Sequence, residues 1–100
     1  MSQGQARIAQ GETAVTVRYW AAARAAAGVG EDRIATDVPL SLSDILERTL
    51  ALHPEADGLG RVIAACSVLV GDTPVGRRDP AEVMVSPGSS VEFLPPFAGG

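Results

Sequence analysis

Few residues in this chain have the type and spacing to do chemistry. His53 is the only histidine and Cys66 the only cysteine. Those counts exclude a site of several imidazoles, a thiolate metal cluster and an internal disulfide. His53 stands before Pro54 at the end of a helical pattern, where a cationic imidazole suits the helix dipole, so it reads as structural. Cys66 precedes an apolar run with no cation nearby to lower its pKa, and reads as a small core hydrophobe. Gly28-Val29-Gly30 is a fragment of a dinucleotide fingerprint, and no glycine-rich loop carries the Lys and Ser/Thr of a phosphate-binding loop. Arg77-Arg78-Asp79 reads as a solvated turn. With one histidine at a helix terminus, no nucleophilic triad is indicated. The chain is therefore expected to lack a self-sufficient active site and to hold no metal.

What remains is FLPPFAGG, residues 93–100. Pro95 and Pro96 have fixed φ and no N–H, so they end sheet pairing and send the chain outward as a stiff extension. Gly99 and Gly100 have no Cβ and can thread a channel too narrow for any side chain. The carboxylate of Gly100 is then sterically free to react inside a partner's site. A frayed end of small residues is the other reading; it accounts for the glycines but not for the Pro-Pro-Phe before them.

The elements that must hold this tail are legible in outline. TAVTVRYW, from Thr13, alternates Val15, Val17 and Tyr19 against Thr16 and Arg18, the pattern of a half-buried strand. AAARAAAG favours a short helix closed by Gly28. Residues 32–38 read as a strand pairing back on the first. In PLSLSDILERTLALHP, Ser41 caps a helix over residues 42–53, with Asp44 three positions on and Pro54 as the stop. Its apolar stripe is Leu42, Ile45, Leu46, Thr49 and Leu50. EADGLGRVIAA reads as a turn and a short helical piece. SVLVG (67–71) is a strand, DTPVG a turn into a short edge strand near Val75, Pro87-Gly88 a tight turn, and SVEFL (90–94) the last strand. The order predicts an α+β fold: a mixed four- to five-stranded sheet with one main helix across one face, the first and last strands side by side in its centre. Residues 1–11 are polar and read as a flexible N-terminal extension, 12–94 as the domain, and 95–100 as an extended tail.

Composition narrows the functional class. Hydrophobic residues make up 46% of the 100, enough for a core, and the formal net charge is −4 with no basic stripe, which speaks against nucleic-acid binding. No apolar run approaches the roughly 20 residues of a membrane helix, and the first residues lack the apolar segment of a secretion signal. A cytoplasmic location is expected. All eight basic residues are arginines; there is no lysine.

Together VTVRYWAAARAAAG, SLSDILERTLALHP, SVLVGDTPVG and above all SSVEFLPPFAGG resemble the ubiquitin-like sulfur-carrier family of the MoaD/ThiS type, nearest to its molybdopterin synthase small-subunit branch. The resemblance runs from about Thr13 to Gly100, and its most specific part is a strand followed by Pro-Pro-x-x-Gly-Gly. Pro87-Gly88-Ser89-Ser90 replaces the Gly-Asp-Glu turn of many members, and Gly71 stands where the family often has Asn. The resemblance implies a β-grasp fold and chemistry at the chain's own end. A ubiquitin-activating-like adenylating enzyme would use ATP and Mg²⁺ to make an acyl-adenylate on Gly100, and sulfur would replace AMP to leave a thiocarboxylate. The tail would then enter the large subunit of molybdopterin synthase, in a heterotetramer, and give sulfur to the dithiolene of molybdenum cofactor. The chain itself would bind no cofactor. Gly100 would carry the sulfur, Gly99 would give clearance, and Phe93, Pro95, Pro96, Phe97 and Ala98 would meet the partner. A chain without lysine offers no side-chain amine for its activated end to acylate. Sulfur carriage for thiamine or cysteine synthesis, a protein modifier joined through Gly100, and a binding module with an inert tail remain open.

Overall fold

The computed structural model describes residues 13–96. Strand β1 (Ala14–Tyr19) buries Val15, Val17 and Tyr19 and turns Arg18 to solvent, so its alternation is that of the sequence. The chain then turns a corner in which Ala21 takes a left-handed φ of 49°, and enters helix α1 (Ala21–Ala27). Gly28, at φ 82°, closes that helix by donating its N–H to the Arg24 carbonyl. Left-handed backbone is where glycine avoids the Cβ penalty, so the cap is a local decision.

Strand β2 (Glu31–Ala35) runs antiparallel to β1, with Asp32 opposite Val17. It stops three residues short of the expected Val38. The Thr36 hydroxyl donates to the Val38 carbonyl and accepts from the Val38 N–H, a local turn that competes with strand pairing ahead of Pro39. Strand β3 (Leu40–Ser41) leads directly into helix α2 (Leu42–Leu52). The Ser41 hydroxyl accepts from the Asp44 N–H at 3.1 Å, the expected cap. α2 buries Leu42, Ile45 and Thr49, but Leu50 stays 41% exposed, leaning on Gly60 of the next helix. The inward stripe is narrower than a five-residue reading allows.

Helix α3 (Leu59–Ala65) buries Leu59 and Ile63. Strands β4 (Ser67–Val70) and β5 (Thr73–Pro74), a 3-10 turn at Pro80–Glu82, β6 (Met84–Val85) and β7 (Ser90–Leu94) complete the described chain. Gly71, between β4 and β5, has φ 60°, a region that Asn tolerates better than other L-residues, so Gly and Asn are interchangeable solutions for this turn. The main sheet has the order β2-β1-β7-β4-β5. β7 lies parallel to β1 and antiparallel to β4, so the first and last strands do share the centre. A second sheet, β3 with β6, has two residue pairs, Leu40 with Val85 and Ser41 with Met84. It was not foreseen, because two residues are too few to show a period. The core gathers Val15, Val17, Tyr19, Ile45, Val91 and Phe93 between the sheet and the helices.

Candidate functional site

The last strand sets where the tail leaves. Along β7, Val91 and Phe93 point into the core, while Ser90, Glu92 and Leu94 are only partly covered. Phe93 has no exposed surface and stacks on Tyr19 with ring centroids 6.0 Å apart. It therefore offers nothing to a partner, which corrects its assignment as a contact residue. The period-two alternation of β7 sends it inward, and its nearness in sequence to the tail does not change that. Pro95 and Pro96 are exposed. Phe97, Ala98, Gly99 and Gly100 lie outside the described residues.

Trp20 braces the root of the stalk. Its backbone N–H donates to the Phe93 carbonyl at 3.1 Å, and its indole Nε1–H donates to Glu92 Oε1 at 2.9 Å. Both bonds tie the end of β1 to the end of β7. Beside them an apolar groove of about 470 Å³ opens between α1 and α3, walled by Trp20, Ala22, Val62, Ala65, Pro95 and Pro96. Among the described residues Arg61 is the only charged one lining it, and Cys66 contributes as well. The groove was not legible in the sequence. Alanines on α1 and α3 were the available signal, since small side chains on two packed helices leave room between them.

Cys66 is partly buried against the core, and burial pushes its thiol above the ordinary range. A thiol kept protonated is a poor nucleophile, which agrees with its packing role. His53 caps the C-terminus of α2, and its Nε2 lies 2.5 Å from Asp32 Oδ2. The Tyr19 hydroxyl donates to the same carboxylate oxygen at 2.7 Å, and the Tyr19 and His53 rings meet edge to face. Burial first, then the Asp32 hydrogen bond, hold the Tyr19 phenol well above its usual pKa. This network joins β1, β2 and α2 and shares no residue with the tail. Arg78 donates to the Pro74 and Val75 carbonyls and closes the turn after β5. Among the described residues no three His, Cys, Asp or Glu side chains group as metal ligands. Among the same residues no helix is long and apolar enough to cross a membrane.

The geometry thus presents a small domain whose central strand is followed by the exposed Pro95 and Pro96. A model of the ThiS family matches residues 17–100, a span that includes the whole tail. The chain belongs to the ThiS family. Over 89 residues this ThiS-family chain is 30% identical to the molybdopterin synthase sulfur carrier subunit of Aspergillus niger, covering 88% of this chain and 96% of that protein. Among solved structures, small archaeal modifier protein 1 from Methanosarcina acetivorans superposes with a TM-score of 0.65 at 20% identity, over 88% of this chain and 97% of that one. A chain of the protein-protein complex of subunits 1 and 2 of molybdopterin-converting factor from Helicobacter pylori gives 0.55 at 21% identity, over 87% of this chain and 99% of that one. These likenesses establish the β-grasp, ubiquitin-like fold that the family resemblance implied. The chain is a ubiquitin-like sulfur carrier of the MoaD/ThiS type.

Proposed function

We propose that this carrier is the small subunit of a molybdopterin synthase and holds its sulfur as a thiocarboxylate on Gly100. The observation that carries the reading is the family match through residue 100, joined to a central strand that ends in the exposed Pro95-Pro96. Its 30% identity to a molybdopterin synthase sulfur carrier subunit supports this pathway over thiamine or cysteine synthesis. In this proposal a cytoplasmic adenylating enzyme uses ATP and Mg²⁺ to join AMP to the Gly100 carboxylate, releasing pyrophosphate. A sulfur nucleophile then displaces AMP, and the large synthase subunit receives the thiocarboxylated tail in a heterotetramer. The Helicobacter pylori complex of subunits 1 and 2 supports a large-subunit partner.

Energetics divide the work between tail and domain. Ordering about four to six tail residues costs on the order of 5–10 kcal/mol, which glycines cannot return by burial. Contacts from Pro95, Pro96, Phe97, Ala98 and the domain must supply affinity, while Gly99 and Gly100 supply access. Phe97→Ala should weaken association with the large subunit, whereas deletion of Gly100 should abolish sulfur transfer and leave association largely intact. Equal loss of binding in both variants would contradict this division. The activity itself is read by intact mass after incubation with the activating enzyme, ATP and a sulfur donor. One terminal oxygen exchanged for sulfur is expected. A ladder of larger conjugates would make the chain a protein modifier, and an unchanged mass would make the tail inert.

A further inference from the structure

We infer that the cleft between α2, α3 and the β4–β5 edge is a binding site for an aliphatic carboxylate of the medium-chain fatty acid class. All four residues of β4 are only partly buried, so the helices leave this end of the sheet open. The cleft that results has a volume of about 510 Å³. Small-molecule pockets run from about 300 to 1,000 Å³ and are mostly apolar, with a few placed polar groups. Leu42, Ile63 and Val75 are its buried walls, and Leu46 and Val68 line it from half-buried positions. Arg77 and Arg78 line the same cleft.

The polar groups around it are used unequally. The Val75 N–H donates to the Val68 carbonyl, and Arg78 donates to the carbonyls of Pro74 and Val75. Pro74 has no N–H, so this short edge is a poor template for an added peptide strand. Arg77, by contrast, has no hydrogen-bond or ion-pair partner among the described residues, and neither has the Ser67 hydroxyl beside it in the lining. Asp79, the nearest acid in sequence, has its Oδ1 on the Ala81 N–H. A planar guanidinium fork binds a carboxylate through two parallel hydrogen bonds. Hydrocarbon walls with a free guanidinium beside them select a ligand that is apolar along its length and anionic at one end. Pro95 and Pro96 line the other groove and not this one, so carboxylate binding and sulfur carriage can each fail without the other.

Decanoate, titrated into the chain below its micelle concentration and followed by amide chemical shifts, should bind saturably at one site. The shifts should centre on Val68, Val75 and Arg77. In Arg77→Gln, an exposed position, decanoate should bind about tenfold more weakly through loss of a charge-assisted contact, while 1-decanol binding stays unchanged. Ala64→Phe, at an exposed α3 position that lines the cleft, should fill it and remove binding of both ligands. Far-UV circular dichroism checks that both variants keep the fold. No saturable binding, equal decanoate affinity in Arg77→Gln and the parent, or shifts centred on Trp20 and Val62 would overturn the proposal.

Discussion

Tyr19 shows what one side chain can join. Its ring packs in the core against Phe93, and its hydroxyl reaches the Asp32 carboxylate that also meets His53. Because burial and that hydrogen bond favour the neutral phenol, the folded pKa lies above the unfolded value of about 10. The contribution to stability is complete below about pH 10 and declines above it, as the unfolded chain loses its proton while the folded one keeps it. Tyr19 is the only tyrosine, so tyrosinate absorbance in an alkaline titration should appear together with loss of far-UV circular dichroism. Ionisation near pH 10 with the dichroism unchanged would show that the ring is not held as described. The two strands and the helix behind this network were legible in the sequence; their convergence on Asp32 was not. It depends on the β1–β2 register, which places Asp32 opposite Val17 and diagonal to Tyr19.

At the scale of elements, α2 carries two polar side chains with opposite effects. Ser41 satisfies the Asp44 N–H at the first turn, so Ser41→Ala should cost about 1 kcal/mol. Thr49 is fully buried, and its hydroxyl has no partner among the described residues, so the near-isosteric Thr49→Val should gain about 1 kcal/mol. Urea unfolding of the two variants against the parent checks both signs. The cap could be read from the sequence because Ser41 and Asp44 are three residues apart and their contact is local. The orphan hydroxyl could not, since helical spacing placed Thr49 in the stripe without saying what would face it. The β3–β6 pair was missed for a related reason: each strand is stabilised by a partner more than forty residues away rather than by its own pattern.

Across the whole molecule, the fold closes when β7 enters beside β1, bringing together residues from near the two ends of the described chain. Phe93 sits at that junction, so Phe93→Ala should lower stability by about 3–5 kcal/mol. That is a large part of the roughly 5–15 kcal/mol typical of a whole domain. Denaturant unfolding measured before any binding experiment would show the loss; unchanged stability would remove Phe93 from the core. A fall in partner affinity in this variant would then report unfolding and not a lost contact.

By itself the sequence determined the strands with clear alternation, the capped helix, the α+β class and the proline-glycine tail. Each of these rests on spacing among near neighbours, on backbone limits of Pro and Gly, or on counts that exclude other chemistry. Only the tertiary structure decided that Phe93 faces the core, that Asp32 gathers Tyr19 and His53, and that a groove opens beside Pro95 and Pro96. Those features depend on sheet order, register and the distance between packed helices, which arise from contacts between residues far apart in the chain.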